Sequence, residues 1–153
     1  MKLLAVWLTT FAVCAISGPL PVVHSEIYLF GVSAASPARW AWALIAAAVA
    51  GQLVGKAVLY FVGRGAIKVR SERFQRLITS ARSRMEAKPK TGGAILFVSA
   101  TVGLPPMYAT TLACGAARMN FAWFLLLTGA GRFIHYSIVV FVPQAAKLWL
   151  ERA

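Results

Sequence analysis

Residues 93–117, GAILFVSATVGLPPMYATTLACGAA, decide how this chain folds. The run is uncharged and longer than the roughly 20 residues that a membrane-spanning helix needs. Gly103-Leu104-Pro105-Pro106 interrupts it near its centre. Proline cannot donate a backbone N–H and its ring clashes with the preceding turn, so one straight helix is excluded. The run reads as two short helices joined by a break. Residues 3–18 are likewise uncharged and end at Gly18-Pro19-Leu20-Pro21, before a shorter apolar stretch from Ile27 to Ala35. Each broken block precedes a long one: residues 40–63, where Lys56 is the one charge, and 121–142, where Arg132 is.

That alternation reads as an internal repeat. Trp40-Ala41-Trp42 aligns with Phe121-Ala122-Trp123 at an offset of 81, and Tyr60-Phe61 then falls on Phe141-Val142. Ala50-Gly51 meets Ala130-Gly131 within one position of that offset, and the breaks at Gly18 and Gly103 lie 85 apart. Apolar strings of few letters match by chance as well, so the paired breaks carry more weight than the identities. Interrupted segments at corresponding places in two halves are the sequence mark of a mid-membrane site in repeat-built transporters. The expected fold is an all-α integral membrane protein, an inverted repeat of two broken or re-entrant helical hairpins, each followed by a long transmembrane helix. It comprises a single membrane domain over 1–153: repeat one 3–63, a basic loop 64–92, repeat two 93–142 and a tail 143–153. A full crossing of the broken blocks and a turn back at mid-depth are both compatible with the sequence. Irregular backbone at membrane depth is tolerated only inside protein or beside a watery cavity, so re-entrant breaks should face inward.

Composition agrees. Of the 153 residues 59% are apolar and 13% charged, with 16 Lys plus Arg against 4 acids, a net +12. Soluble domains run at about 45–50% apolar and 25% charged, so a cytosolic enzyme or a secreted disulfide scaffold is excluded. The basic excess is local: residues 64–90 hold nine basic residues and two acids, +7 of the total. Clustering beside spans is what the positive-inside rule produces. Nucleic-acid binding would interleave aromatics with the charges, and this stretch has only Phe74, so no nucleic-acid partner is expected. Cys14 and Cys114 sit in apolar runs without CxxC or His-rich spacing, so no metal is expected and they read as buried small hydrophobes.

The basic loop, residues 64–92, is expected to be cytoplasmic. Block two then runs outside to inside, and block four returns the chain to the cytoplasm with Lys147 and Arg152 on the tail; Lys2 favours a cytoplasmic N-terminus. Within the loop Phe74, Leu77, Ile78, Ala81 and Met85 form one helical stripe, with Arg73, Arg76 and Arg84 off it. Such an amphipathic helix suits an anionic leaflet; packing against the protein's own spans is the other reading. Met1-Lys2, the apolar run and Ala15-Ile16-Ser17 also resemble a signal peptide, against which stand the single lysine and the apolar chain beyond the break.

Ionisable residues at membrane depth are functional candidates by default. Glu26 is the one acid outside the loop and tail, and it follows the first proline break. It reads either as an interfacial residue or as a carboxylate at a hairpin tip that gains and loses a proton. Lys56 can snorkel toward the cytoplasmic end of its helix or face a cavity. Arg132 and His135, three apart, share a helix face. A carboxylate beside a guanidinium and an imidazole would form a compact proton-responsive site. The chain has no Asp, nucleophile elbow, phosphate loop or metal motif, so neither enzyme activity nor a cofactor is expected.

These residues resemble the DedA/VTT (SNARE-associated Golgi protein-like) membrane superfamily over roughly residues 15–142. In the second half the resemblance rests on Phe97, Gly103-Leu104-Pro105-Pro106, Cys114-Gly115, Met119, Phe121 and Gly131. In the first it rests on Glu26 after its proline break and on Gly51, Gly55, Tyr60, Gly63-Arg64 and Gly65. The resemblance implies paired re-entrant hairpins in an inverted repeat. It also implies movement of lipids such as polyprenyl phosphates or phospholipids between leaflets, proton-coupled in some members. Two features depart from the family pattern. The arginines typical around the second hairpin proline are absent, since Thr101, Val102 and Gly103 precede Pro105 and Met107 and Tyr108 follow Pro106. A second acid near Glu26 is missing as well; Arg132, Lys56 and Arg39 are left as replacement cations.

The expected function is translocation or scrambling of an anionic lipid in a bacterial-type inner (plasma) membrane. Glu26 would be its proton-responsive gate, Pro19, Pro21, Gly103, Pro105 and Pro106 its hairpin breaks, and Arg132 with Lys56 its headgroup contacts. Membrane lipids are the expected partners, with a homo-oligomer compatible. A non-transporting scaffold or lipid sensor acting through the basic loop, and a small-molecule or ion exporter, are the alternatives.

Overall fold

The computed structural model describes residues 2–19, 24–65, 72, 76, 79, 83 and 89–150. These residues form helices and turns, with no strand among them. In chain order the helices are α1 (Lys2–Ser17), α2 (Ser25–Ala35), a 3-10 turn (Ala38–Trp40), α3 (Ala41–Gly63), α4 (Pro89–Val102), α5 (Met107–Ala116) and α6 (Phe121–Leu150). Residues 72, 76, 79 and 83 are helical, and Arg76 is exposed. Pro21, Arg73, Arg84 and the apolar stripe of the basic loop lie outside the described residues.

Among the described residues two helical stretches are long and apolar enough to cross a membrane: Ala38–Gly63 and Phe121–Ala146, 26 residues each, with mean hydropathy 1.7 and 1.6. At 1.5 Å per residue each reaches about 39 Å, against a hydrocarbon core of about 30 Å. The remaining helices hold 16, 11, 14 and 10 residues, so the longest extends only about 24 Å. Their ends follow from local chemistry. Gly18-Pro19 stops α1, and Gly103, at a φ of +85° that favours glycine, turns the chain out of α4. Ser36, before Pro37, is extended as pre-proline residues prefer, and ends α2. Asn120 caps α6, its Oδ1 accepting from the backbone N–H groups of Ala122 (2.9 Å) and Trp123 (3.2 Å).

At each break the chain folds back on itself. Tyr28 Oη reaches Thr9 Oγ1 at 3.3 Å and Thr10 Oγ1 at 3.5 Å, joining α2 to α1. Ser99 Oγ donates to the Pro105 carbonyl at 2.6 Å and meets Thr110 Oγ1 at 3.0 Å, joining α4 to α5. The packing of the longer pieces is reciprocal. α1 packs on α3 and α4 on α6; α2 then packs on α6, and α5 on α3. Exchanging the halves leaves this pattern unchanged. Large apolar side chains such as Trp42, Ile27, Leu126, Ile138 and Trp149 face outward. Large apolar side chains exposed in this number fit a membrane-associated protein.

α3 and α6 run antiparallel. Trp42, at the start of α3, packs edge-on against Phe141 at 5.2 Å, while Tyr60, at its end, meets Phe121 and Phe124 at 5.2 and 4.8 Å. The ends that flank the basic loop therefore lie opposite the end of α6. The expectation put loop 64–92 and tail 143–153 on one, cytoplasmic side; in the structure the helix ends that lead to them point opposite ways. The expectation needed block three to run one way, whereas α5 folds back along α4. α1 runs parallel to α3, with Phe11 beside Gly51 and Ala15 beside Gly55, so the N-terminal Lys2 also lies opposite the loop. α6 also continues past the expected boundary at 142 and through Pro143 to Leu150. Ser33 of α2 supports that stretch, donating to the Val140 carbonyl at 2.7 Å and accepting from Gln144 at 3.3 Å.

A labelling experiment checks this arrangement in a Cys14→Ala, Cys114→Ala background. With the loop cytoplasmic, Arg76→Cys should react with an impermeant maleimide only after permeabilisation, and Trp149→Cys in intact cells. Reaction of both from one side would contradict an antiparallel crossing.

Candidate functional site

Glu26 is the second residue of α2, where the unpaired N–H groups of a helix start favour a carboxylate. Its Oε1 lies 3.3 Å from Arg132 Nη1 and 3.6 Å from His135 Nε2. Residues 106 positions apart thus meet across the two halves. Arg132 is 6% exposed and Glu26's side chain 40%, so the carboxylate keeps an open flank while the guanidinium is enclosed. Arg132 also points Nε at Met107 Sδ (3.1 Å), the first residue of α5, and its Cζ lies 5.5 Å from the Tyr136 ring centre. One side chain therefore touches the second arm of each hairpin.

Lys56 is 4% exposed, and its Nζ donates to the Gly18 carbonyl at 2.8 Å. That carbonyl sits at the C-terminal end of α1, where unpaired carbonyls and the helix dipole attract a cation. Of the two readings of Lys56, snorkelling toward Gly63 does not describe this geometry: the ammonium is held at the first break. The second half has a counterpart, for His135 Nδ1 lies 2.8 Å from the Thr101 carbonyl at the end of α4. Each long helix thus caps the first arm of its own hairpin.

Gln52, one turn before Lys56 on α3, was not singled out from sequence. Its Nε2 donates to Ser17 Oγ (2.7 Å) and Ser25 Oγ (3.4 Å), and Ser25 in turn meets Tyr136 Oη at 3.1 Å. Ser17 gives its only proton to the Cys14 carbonyl at 3.0 Å, so it must accept from Gln52, which fixes the amide's orientation. Gln52 thereby joins the end of α1 to the start of α2 and sets where Glu26 stands. The signal available in sequence was its spacing: an amide at i and a lysine at i+4 in an otherwise apolar helix.

These groups line one cavity of about 200 Å³. Gly18 and Gly103 reach it from the two breaks, with Glu26, Lys56, Arg132 and His135 around it. His24 and Tyr108 complete its rim. Pro105 and Pro106 are exposed and Pro19 half-buried, so the prolines shape the breaks while the glycines meet the cavity. Arg39 is exposed on its 3-10 turn. Two enclosed basic side chains, Lys56 and Arg132, face a single carboxylate among the lining residues. Such charges are costly to bury unless paired, so the cavity is chemically suited to an anion.

A family model described as the VTT domain matches residues 20–144. Comparisons with curated proteins and with solved structures returned no match. The matched span contains Glu26, Lys56, Arg132, His135 and the second break, and it covers well over half of the chain. The chain therefore belongs to the VTT domain family, the DedA/SNARE-associated Golgi protein family of membrane-associated proteins.

Proposed function

We propose that this protein moves an anionic lipid, a polyprenyl phosphate or a phospholipid, between the leaflets of a plasma membrane. The observation that carries the reading is the cavity between the two breaks, in which Lys56 and Arg132 outnumber Glu26. A volume of about 200 Å³ suits a headgroup, being smaller than the roughly 300–1,000 Å³ of pockets that enclose whole drug-sized ligands. The acyl or prenyl chain stays in the surrounding lipid. The headgroup phosphate pairs with Arg132 and Lys56, and Glu26 holds Arg132 between passages. The architecture behind this is an inverted repeat with two re-entrant hairpins. Its support is the packing pattern that survives exchange of the halves, together with four helices too short to cross a bilayer.

Reconstitution into vesicles tests the reading, with leaflet exchange of labelled polyprenyl phosphate and labelled phospholipid followed separately. The wild type should accelerate at least one of them over protein-free vesicles. Lys56→Met should slow that exchange about tenfold, the worth of one charge-assisted contact. If neither lipid moves faster than in protein-free vesicles, the proposal fails.

A further inference from the structure

We infer that Glu26 and His135 hold one exchangeable proton between them, and that this proton decides whether Arg132 is closed by Glu26 or open to an anion. The argument starts from the imidazole. The Thr101 carbonyl can only accept, so the Nδ1 that faces it at 2.8 Å carries a proton. Neutral His135 then has a bare lone pair at Nε2. That nitrogen is buried and has no hydrogen-bond partner within reach. Its nearest charged neighbour is Glu26 Oε1 at 3.6 Å, which is also an acceptor. A buried, unpartnered nitrogen facing a carboxylate oxygen forms a site for one proton, because a buried polar group left without a partner is costly. The second acid that the sequence lacks near Glu26 is thus answered by a base.

Other elements surround the pair with few groups that could take its place. From α1 comes Cys14, from α3 Lys56, from α5 Tyr108, and from the start of α2 His24; α6 adds Arg132 and Tyr136, and α4 the Thr101 carbonyl. Without the proton, Glu26 is a carboxylate committed to Arg132. With it, the proton comes from water and sits on Nε2, and the imidazolium N–H donates to Glu26. Glu26 then shares its charge between two cations and its hold on Arg132 loosens. A phosphate oxygen takes the freed Nη1 position, and release of the phosphate returns the proton to water. No covalent bond other than N–H is made or broken. By linkage, the anion draws in the proton as strongly as the proton draws in the anion. This deepens the proposed lipid translocation and rests on it, but the proton pair is measurable without any lipid moving.

Nitrogen-15 NMR of histidine-labelled protein in bilayers reads the pair, with His24→Gln leaving a single labelled ring. The expected spectrum has Nδ1 protonated throughout and Nε2 gaining and losing one proton as the pH is varied. Glu26→Gln should move that titration. A ring protonated only at Nε2, or a titration indifferent to Glu26→Gln, overturns the inference. The second arm uses His135→Asn, whose amide can still donate to the Thr101 carbonyl but binds no proton. Wild-type headgroup exchange should vary with pH by up to about tenfold per unit, the slope for one linked proton, and the variant should be flat. A variant that keeps the wild-type slope also overturns it. Absence of lipid exchange with the expected NMR titration would reject the lipid reading and leave the proton pair standing.

Discussion

Arg132→Ala should lower the rate of headgroup exchange by about a hundredfold to a thousandfold. Removing the buried guanidinium from a pair whose carboxylate is half open costs about 3–4 kcal/mol, the lower part of the range for buried pairs, and each 1.4 kcal/mol is about tenfold. The effect is large because Arg132 does three things at once. It pairs with Glu26 at 3.3 Å, meets the start of α5 through Met107 at 3.1 Å, and lies against Tyr136 at 5.5 Å. Alanine removes one of two cavity cations and releases both hairpin arms. Arg132→Lys keeps the charge but not the planar fork that makes separate contacts, so it should be faster than Arg132→Ala and remain about tenfold below wild type. A double-mutant cycle with Glu26→Gln separates the pair from its surroundings. The effects of the two changes on unfolding in detergent should be clearly non-additive, since paired residues couple by about 0.5–3 kcal/mol. Exchange by Arg132→Ala within twofold of wild type would remove this residue from the mechanism.

The long helices and both breaks were legible because their signals are one-dimensional. An apolar run of spanning length and a proline that cannot donate mean the same thing in any surroundings. The shared face of Arg132 and His135 was legible for the same reason, being fixed by helical spacing. The direction of α6 was not. A hairpin that enters and returns differs from one that crosses by a single reversal, and residues 103–106 look alike in both. Lys147 and Arg152 then drew the expected tail toward the loop's side. Gln52, Ser17 and Ser25 were missed because short polar side chains within apolar runs carry no pattern of their own; their importance comes from meeting one another across three helices. The target of Lys56 depended on the register of α1 against α3, and that register is set by backbone contact.

That contact carries the second large effect: Gly55→Leu should abolish the native fold in detergent, and Gly55→Ala should weaken it measurably. Gly51 and Gly55 stand one turn apart and let α3 approach the backbone of α1, the small-residue packing by which membrane helices come close. A Cβ on Gly55 would lie 2.8 Å from Gly18 Cα and 2.9 Å from Pro19 Cδ, and would collide with the Ala15 carbonyl oxygen. Backbone cannot swing aside as a side-chain tip does, so the helices must separate. Two terms decide the sign for alanine. Replacing a helical glycine gains up to about 1 kcal/mol in helix propensity, while overpacking a tight contact costs about 1–3 kcal/mol. The rigid neighbours put Gly55→Ala toward the upper end of that cost, for a net loss of about 1–2 kcal/mol. Gly31→Ala isolates the first term. Gly31 lies within α2 with nothing within 4 Å of an added Cβ, so its variant should be as stable as wild type or slightly more. The functional consequence follows from adjacency. Separation of α1 and α3 carries Lys56 away from the Gly18 carbonyl that it now meets at 2.8 Å, so headgroup exchange should fall along with stability. Thermal unfolding of the three variants side by side gives the answer. If Gly55→Ala unfolds at or above the temperature of Gly31→Ala, the close approach of α1 and α3 is not what holds the first break at the cavity.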